Sequence, residues 1–277
     1  LGLPDEEFYL PDEVKKHFQI RFPKLGEMSN EWESAVKNAK SDQSFDHFWK
    51  ALFENTNSNL EYPVFEEGSV LATRKAFGAT LDKFAEQVPN IVGGSADLEP
   101  SNYTTNFAHK YGDFSKENKL GRNLAFGVRE FPMAAAMNGI ALHGGLIPFG
   151  GTFLVFADYE RPALRLASIQ KCGVIHEFTH DSFWVGEDGP THQPVEQAMS
   201  LRAIPGFNVF RPADAKETVA SFKLAMNNKT SPSALLLTRQ GVPVLNQPID
   251  EIIEGVGRGA YIVVEEDGPE LVFLATG

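Results

Sequence analysis

One stretch sets the pattern of the whole chain: Ile91-Val92-Gly93-Gly94-Ser95-Ala96-Asp97-Leu98. A short apolar run ends in glycine and gives way to a polar loop, which predicts a buried strand followed by a loop at its carboxyl end. In parallel α/β sheets, ligands bind at that end of the strands. Asp97 and Ser101, which lie in this loop, are therefore the first candidate site residues.

The same alternation recurs downstream and predicts an α/β fold, with a doubly wound, mainly parallel sheet and helices on both faces. An apolar helical face runs from Val70 to Val88, and Asp214 is expected to cap a helix that extends to Met226. The predicted later strands are Leu124–Gly127, Gly150–Phe156, Val174–Phe178, Phe207–Phe210, Ala234–Leu237, Tyr261–Val264 and Leu271–Ala275.

Three segments are expected along the chain. Residues 1–66 form a helical lead-in, in which Ser29 is a candidate N-cap; residues 67–246 form the α/β domain; residues 247–277 form a linker and the first strand of another domain. The chain opens at Leu1 without an initiator Met and closes on an apolar run. Since a strand without partners is not a finished domain, we expect a piece of a longer polypeptide.

Composition narrows the class of protein. The 277 residues carry a net charge of −12, which argues against nucleic-acid and anionic-membrane surfaces, so a bound anion needs a local cationic cluster. The single cysteine, Cys172, excludes an intrachain disulfide and a cysteine-based metal site. No signal peptide and no apolar run of membrane length is present, and we expect a cytoplasmic protein.

Chemically active side chains cluster after the predicted strands. The loop Gly186–Pro194 combines acids, a histidine, glycine and proline, which is typical of a site-forming loop, although an idle solvated loop has the same composition. The candidates at strand ends are Asp97 with Ser101, Glu130, Phe153 with Phe156 and Tyr159, His180, and Arg239. A metal site formed by His180, Asp181, Glu187, Asp188 and His192 is a weaker alternative, because these residues lack helical ligand spacing.

Several runs together resemble transketolase, from about residue 60 to the end. The most specific is Gly-Glu-Asp-Gly-Pro-Thr-His-Gln-Pro at residues 186–194. The others are Gly93–Leu98, Gly127–Phe131, Met137–Ile140, Gly150–Phe153, Thr179–Ser182, Phe210–Asp214, Thr238–Gln240 and Ala275–Gly277. Placed on that family, the chain is similar to its central domain, the pyrimidine domain of the thiamine diphosphate-binding fold.

The resemblance implies a function. Transketolases move a two-carbon ketol unit from xylulose 5-phosphate to ribose 5-phosphate or erythrose 4-phosphate, in the pentose phosphate pathway. They use thiamine diphosphate and Mg²⁺ and work as homodimers with active sites shared between subunits. The family's Gly-Asp-Gly…Asn motif for magnesium and diphosphate is not found in this sequence. Those ligands are therefore expected on a preceding domain, and the chain alone is expected to be inactive.

The resemblance also implies roles for single residues. Glu130 occupies the position at which the family has a glutamate that is hydrogen-bonded to the pyrimidine ring of the cofactor. Phe153 and Phe156, with Tyr159 nearby, match the family's ring-stacking aromatics, and Asp97 matches an acid at the dimer-facing cofactor site. The family's phosphate-contacting positions are matched by Arg74, Ser101, His180 and Arg239. Its contacts to sugar hydroxyls are matched by Asp188 and His192. His192 is also a candidate proton shuttle. The chain departs from many members at Phe131-Pro132, where they carry His-Ala.

Two other functions stay open at this point. Another thiamine enzyme, such as dihydroxyacetone synthase, shares nearly all these motifs and differs in using formaldehyde as acceptor, whereas deoxyxylulose-phosphate synthase has a divergent loop in place of residues 186–194. The second possibility is a non-catalytic, transketolase-like binding or assembly module, which calorimetry with thiamine diphosphate and magnesium would address.

Overall fold

The computed structural model describes residues 2–53, 59–181, 185–186 and 188–276. The chain divides into two compact units, Leu1–Glu54 and Asn55–Gly277. This division lies before the predicted boundary at residue 66, because Leu60, Tyr62 and Phe65 pack against the core of the second unit.

The first unit is helical, as predicted. Its helices are α1 (Asp12–Gln19), α2 (Phe22–Ala39) and α3 (Gln43–Phe53). The expectation that Ser29 caps a helix is wrong, because α2 begins seven residues earlier with Pro23 in its first turn, a position that proline favours. Asp42 precedes α3 and accepts a hydrogen bond from the Ser44 N–H at 2.8 Å.

The second unit holds the remaining elements. In chain order these are β1 (Val70–Ala72), α4 (Thr73–Gln87), β2 (Ile91–Ser95), α5 (Glu99–Asn102), α6 (Thr105–Tyr111), α7 (Glu130–His143), β3 (Ile147–Phe153), α8 (Ala157–Ile169), β4 (Ile175–Thr179), α9 (Gln197–Arg202), β5 (Asn208–Phe210), α10 (Ala215–Asn227), β6 (Ser233–Leu236), β7 (Gly241–Pro243) and α11 (Ile249–Arg258). The predicted cap of α10 is confirmed, since Asp214 accepts the Glu217 N–H at 2.7 Å.

A parallel five-stranded sheet, ordered β2-β3-β4-β6-β5, organises this unit and confirms the predicted fold class. β6 lies between β4 and β5, so the carboxyl ends of β2, β3, β4 and β6 are consecutive neighbours along one edge. The register pairs Phe153 of β3 with Thr179 of β4 at that edge. β1 and β7 form a separate antiparallel pair.

Successive residues of the strands face opposite sides of the sheet, and helices cover both sides. Ile175 and Leu235 join a core with the phenylalanines of α4 and with Phe222 of α10. Phe178 and Leu236 join a second core with α8 and α9. Burial on both faces explains why most strand positions are apolar, as in other all-parallel sheets, with His176 and Glu177 of β4 as exceptions.

The double glycine Gly150-Gly151 in β3 lets side chains from α7 and from the neighbouring strand β4 pack close to the β3 backbone. A Cβ at Gly150 would collide with the sulfur of Met137 on α7, and a Cβ at Gly151 would lie 2.6 Å from a carboxylate oxygen of Glu177. Larger residues at either position would therefore force these buried side chains to move.

Among the described residues, three predicted strands are not formed and part of one predicted linker is a helix. Leu124–Gly127 is not a strand; the residue before it, Asn123, forms isolated bridges with Gly93 and with Asp113. Residues 249–258 form helix α11, which buries Ile252 completely, and are not a linker. The described residues 260–276 form no strand and pair with none of the described strands. No helix among the described residues has the length and apolarity to cross a bilayer.

Candidate active site

The start of α4 and the end of β6 are fastened together at the carboxyl edge of the sheet. The Thr73 N–H donates to the Thr238 hydroxyl at 3.1 Å, and the Thr238 N–H donates to the Thr73 hydroxyl at 2.7 Å. The next residues along each element, Arg74 and Arg239, are therefore brought to the same corner of the site. A sequence separation of 165 residues hides this proximity from any local pattern.

Arg74 connects two further predicted site residues. Its Nη1 donates to the backbone carbonyl of Ser101 at 3.0 Å and lies 3.5 Å from Nε2 of His180. Burial is the main cause that lowers the pKa of Arg74, and the positive charge of Arg239 acts in the same direction. A lowered guanidinium pKa still leaves a full positive charge at neutral pH.

Asp188 lies inside this cationic corner. Its Oδ2 is 3.8 Å from His180 Nε2 and 3.6 Å from Arg239 Nε. The oxygen is buried and makes no hydrogen bond within the described part of the chain. The structure thus brings together Arg74, Ser101, His180, Asp188 and Arg239, which we call the anion corner.

An aromatic wall borders the anion corner. The rings of Phe153 and Phe156 are stacked, with centroids 5.8 Å apart and planes 5° apart, and Tyr159 follows 6.0 Å from Phe156. Phe153 is only 6% exposed, and His180 stacks on it at 3.6 Å. The more accessible rings of the wall are therefore Phe156 and Tyr159.

His192 packs edge-on against this wall. Its ring lies 6.0 Å from Phe153 and 5.4 Å from Phe156, with planes 71° and 75° apart. Its Nδ1 is 2.9 Å from the Thr191 hydroxyl, so the other ring nitrogen is the one that remains for a ligand. His192 belongs to a short 3₁₀ turn, Pro190–His192, within the loop that the sequence singled out.

Glu130 begins α7 and is half-buried, as expected for an acid at a positive helix end. Pro132 lies in the first turn of α7, where a proline is tolerated because its missing N–H has no partner within the helix. Behind Glu130 lies a buried acid, Glu160. Burial raises the pKa of Glu160, the neighbouring His176 lowers it, and the charge of Glu130 raises it.

Asp97 follows β2 and is exposed, with a left-handed backbone at φ 65°. Non-glycine residues adopt this conformation rarely, and aspartate is among those that tolerate it best. The structure holds the Asp97 side chain at the surface of the carboxyl edge. No contact joins it to the anion corner in the described part of the chain.

Buried polar residues on β4 were missed by the sequence prediction. His176 and Glu177 are both fully buried, and burial raises the pKa of Glu177 well above its usual value, opposed by the charge of Arg74. The available signal was the presence of two titratable residues in succession within an apolar parallel strand. Such residues are rarely buried without a specific partner.

Another missed contact holds Asp181, the residue that follows His180. Arg211, after β5, donates to both carboxylate oxygens of Asp181 at 2.6 and 3.2 Å. Ser182 and Glu187, which belong to the predicted site loop and to the alternative metal site, lie outside the described residues. Within the part of the chain that is described, no group of three His, Cys, Asp or Glu side chains is placed to hold a metal ion.

These features define a ligand-binding α/β domain, with an anion corner beside an aromatic wall at the carboxyl edge of a parallel sheet. Residues 69–244 match the family model of the transketolase pyrimidine-binding domain, and the chain belongs to that family. The resemblance found in the sequence is thereby confirmed.

The similarity extends to complete transketolases. The chain is 46% identical over 282 residues to a transketolase of Bacillus subtilis, covering 99% of this chain and 42% of that protein. A solved transketolase from Leishmania mexicana superposes with a TM-score of 0.85 and 38% identity, covering 96% of this chain and 39% of the other. A Pichia stipitis transketolase in complex with sedoheptulose-7-phosphate gives a TM-score of 0.83 and 36% identity, over 96% and 40% of the two chains. The chain therefore spans about two fifths of the length of these relatives.

We predict that His180 stays neutral throughout the physiological pH range. Burial, then the charges of Arg74, Arg239 and His192, lower its pKa to about 3. In the unfolded chain a histidine titrates near pH 6.5, roughly its unperturbed pKa. The stabilising effect of a neutral His180 is therefore complete above about pH 6.5 and is lost progressively as the pH falls from there towards 3.

The measurement is the NMR chemical shift of the His180 ring between pH 4.5 and 8, assigned by the signal that disappears in His180→Gln. A flat profile is expected for the folded chain, and the same chain in urea provides the titrating control. A midpoint between pH 5.5 and 7 in the folded chain would contradict the burial and charge argument.

Proposed function

We propose that this chain forms the pyrimidine-binding part of a thiamine diphosphate-dependent transketolase. The enzyme would transfer a two-carbon ketol unit from xylulose 5-phosphate to ribose 5-phosphate or erythrose 4-phosphate, in the cytoplasmic pentose phosphate pathway. The observation that carries this proposal is the 3.6 Å stack of His180 on Phe153, which joins an anion corner to an aromatic wall. A phosphorylated sugar and a flat cofactor ring require these two surfaces side by side.

The anion corner has the chemistry to bind a sugar phosphate. Two guanidinium groups, from Arg74 and Arg239, and the His180 imidazole supply N–H donors of the kind that phosphate oxygens prefer. This cationic group is local in a chain with a net charge of −12. Asp188 offers an acceptor at the same place, which suits a hydroxyl group of the sugar.

The aromatic wall fits the pyrimidine ring of thiamine diphosphate. Phe156 is half-buried and Tyr159 is 64% exposed, so both offer ring surface on which a flat ring can stack. When bound, thiamine diphosphate supplies an acidic ring carbon that accepts the two-carbon unit. Glu130, at the start of α7, would hold the proton that is shared with the pyrimidine nitrogen.

The Mg²⁺ and diphosphate ligands are proposed to lie on a diphosphate-binding domain outside this chain. Asp97 would make a contact at the dimer-facing side of the cofactor, and its exposure at the carboxyl edge supports this role. His192 would bind sugar hydroxyls and exchange protons with them at Nε2, because its Nδ1 already faces the Thr191 hydroxyl.

A second copy of the transketolase subunit is the proposed partner of α7 and α8. Large apolar side chains on these two packed helices are exposed: Phe131 by 45%, Leu142 by 58%, Leu166 by 48% and Ile169 by 62%. Apolar surface of this kind marks protein–protein contacts. A homodimer would cover it and bring one subunit's pyrimidine domain to the other's diphosphate domain.

The first test of the proposal is Glu130→Ala in the complete transketolase polypeptide, assayed with xylulose 5-phosphate and ribose 5-phosphate. Loss of a proton-holding group is expected to lower turnover by about 10²- to 10⁴-fold with the fold retained. Glu251→Ala is the matched control, since Glu251 is also an acid in the first turn of a helix. A Glu130→Ala enzyme that keeps most of its turnover would remove Glu130 from the reaction.

The second test concerns the phosphate. We expect Arg239→Ala to raise KM for ribose 5-phosphate by roughly 10- to 100-fold, because one charged hydrogen bond contributes about 1.5–3 kcal/mol. KM for unphosphorylated ribose should change far less. Arg258→Ala provides the control, as Arg258 is exposed and pairs with Glu254 on α11. Equal effects on the two acceptors would show that Arg239 does not recognise phosphate.

The third test concerns the homodimer and uses sedimentation of the complete polypeptide. Leu166→Asp is expected to shift the protein towards monomers, because an unpaired carboxylate is costly to bury in an interface. Leu120→Asp is the matched control, with Leu120 89% exposed in the loop before α7. If both variants remain dimeric, α8 does not form the interface.

A further inference from the structure

A relay of buried hydrogen bonds leads from the loop after β2 to the ring of His180. The Leu98 N–H donates to the Ser95 hydroxyl at 3.0 Å, and this hydroxyl donates to Asn102 Oδ1 at 2.9 Å. Asn102 Nδ2 lies 3.1 Å from the Thr179 hydroxyl, which in turn lies 2.9 Å from His180 Nδ1. Ser95, Asn102 and Thr179 are completely buried, so water does not compete for these bonds.

The backbone carbonyl of Thr152 fixes which groups of the relay donate and which accept, because a carbonyl can only accept a hydrogen bond. Asn102 Nδ2 lies 3.2 Å from this carbonyl. The amide group facing Thr152 must therefore be the NH₂, and its Oδ1 must face Ser95. Because the same NH₂ also faces Thr179, the Thr179 oxygen is an acceptor from Asn102.

The Thr179 hydroxyl has a single proton, and His180 Nδ1 is where that proton can go. If Nδ1 instead carried the ring proton and donated to Thr179, the hydroxyl proton would be left buried without an acceptor among the described residues. Buried polar hydrogens are nearly always bonded. The relay therefore favours an unprotonated Nδ1.

We propose that Thr179, oriented by Asn102, is a positioning residue that holds His180 as the neutral tautomer with its proton on Nε2. His180 then presents an N–H donor to an oxyanion in the anion corner. The role of the donor rests on the proposed sugar phosphate function, whereas the tautomer itself does not.

Nε2 faces one acceptor and one donor. Asp188 Oδ2, an acceptor, lies 3.8 Å away. Arg74 Nη1, which can only donate, is 3.5 Å from Nε2 and also donates to the Ser101 carbonyl at 3.0 Å, so the proposal requires the second proton of Nη1 to point away from Nε2. The stack on Phe153 and the left-handed backbone of His180, at φ 62°, fix the direction in which the ring points.

The test is a ¹⁵N NMR spectrum of the 277-residue chain with labelled histidine, in which protonated and unprotonated ring nitrogens have distinct shifts. The His180 signals are identified by their loss in His180→Gln. A protonated Nε2 and an unprotonated Nδ1 are expected in the wild-type chain. A proton on Nδ1 would overturn the proposal without reference to any variant.

Variants then separate the two members of the relay. Thr179→Val removes the hydroxyl and is expected to give a mixture of tautomers, while Thr179→Ser keeps the hydroxyl and should restore the proton to Nε2. Asn102→Leu should also give a mixture, and an unchanged Nε2 proton there would remove Asn102 from the proposal. An unchanged tautomer in a folded Thr179→Val chain would remove Thr179.

Titration with inorganic phosphate tests the consequence for binding. Thr179→Val is expected to weaken phosphate binding about twofold if the two tautomers become equally populated, because only the fraction with a proton on Nε2 can donate, and Thr179→Ser is expected to match the wild type. If the tautomer is as proposed but the wild-type chain does not bind phosphate, the phosphate role fails and the positioning role of Thr179 stands. If Thr179→Val binds phosphate like the wild type, the donor role of Nε2 is wrong.

Discussion

The parallel pairing of β3 with β4 is the constraint on which the site depends. Its register sets Phe153 opposite Thr179, so the residue after Thr179 emerges beside the Phe153 ring. His180 then turns through a left-handed backbone and stacks on that ring at 3.6 Å. A register shift of one residue would turn the side chains of β4 to the other face and separate the anion corner from the aromatic wall.

Much of this arrangement could be predicted from the sequence, because the strands are short apolar runs that end in polar loops. That pattern predicted a parallel sheet with Phe153, His180 and Arg239 at one edge. It could not predict that Thr73 and Thr238 exchange two hydrogen bonds across 165 residues, since nothing local marks the pairing. The sequence pattern also failed where tertiary packing decides: Leu124–Gly127 is apolar but lies outside the sheet, and residues 249–258 fold as a helix because Ile252 is buried.

The middle of the sheet carries ionisable groups that a purely apolar core would avoid. Glu160 and His176 approach within 3.0 Å, both fully buried, and Glu177 lies on the opposite face of β4 beside Gly151. A buried charge is costly unless it is paired, which is why burial raises the pKa of both glutamates. Glu160 and His176 form a buried pair, so an apolar replacement of one of them alone would leave the other buried without this partner.

The stack of His180 on Phe153 has a spectroscopic consequence. Aromatic rings carry circulating π-electron currents, which shift the magnetic resonance of nuclei held above a ring face. With ring centroids 3.6 Å apart and planes 26° apart, the His180 ring protons lie within the field of Phe153. The chemical shifts of the His180 ring protons therefore report any displacement of β3 relative to β4, the two strands that hold these rings.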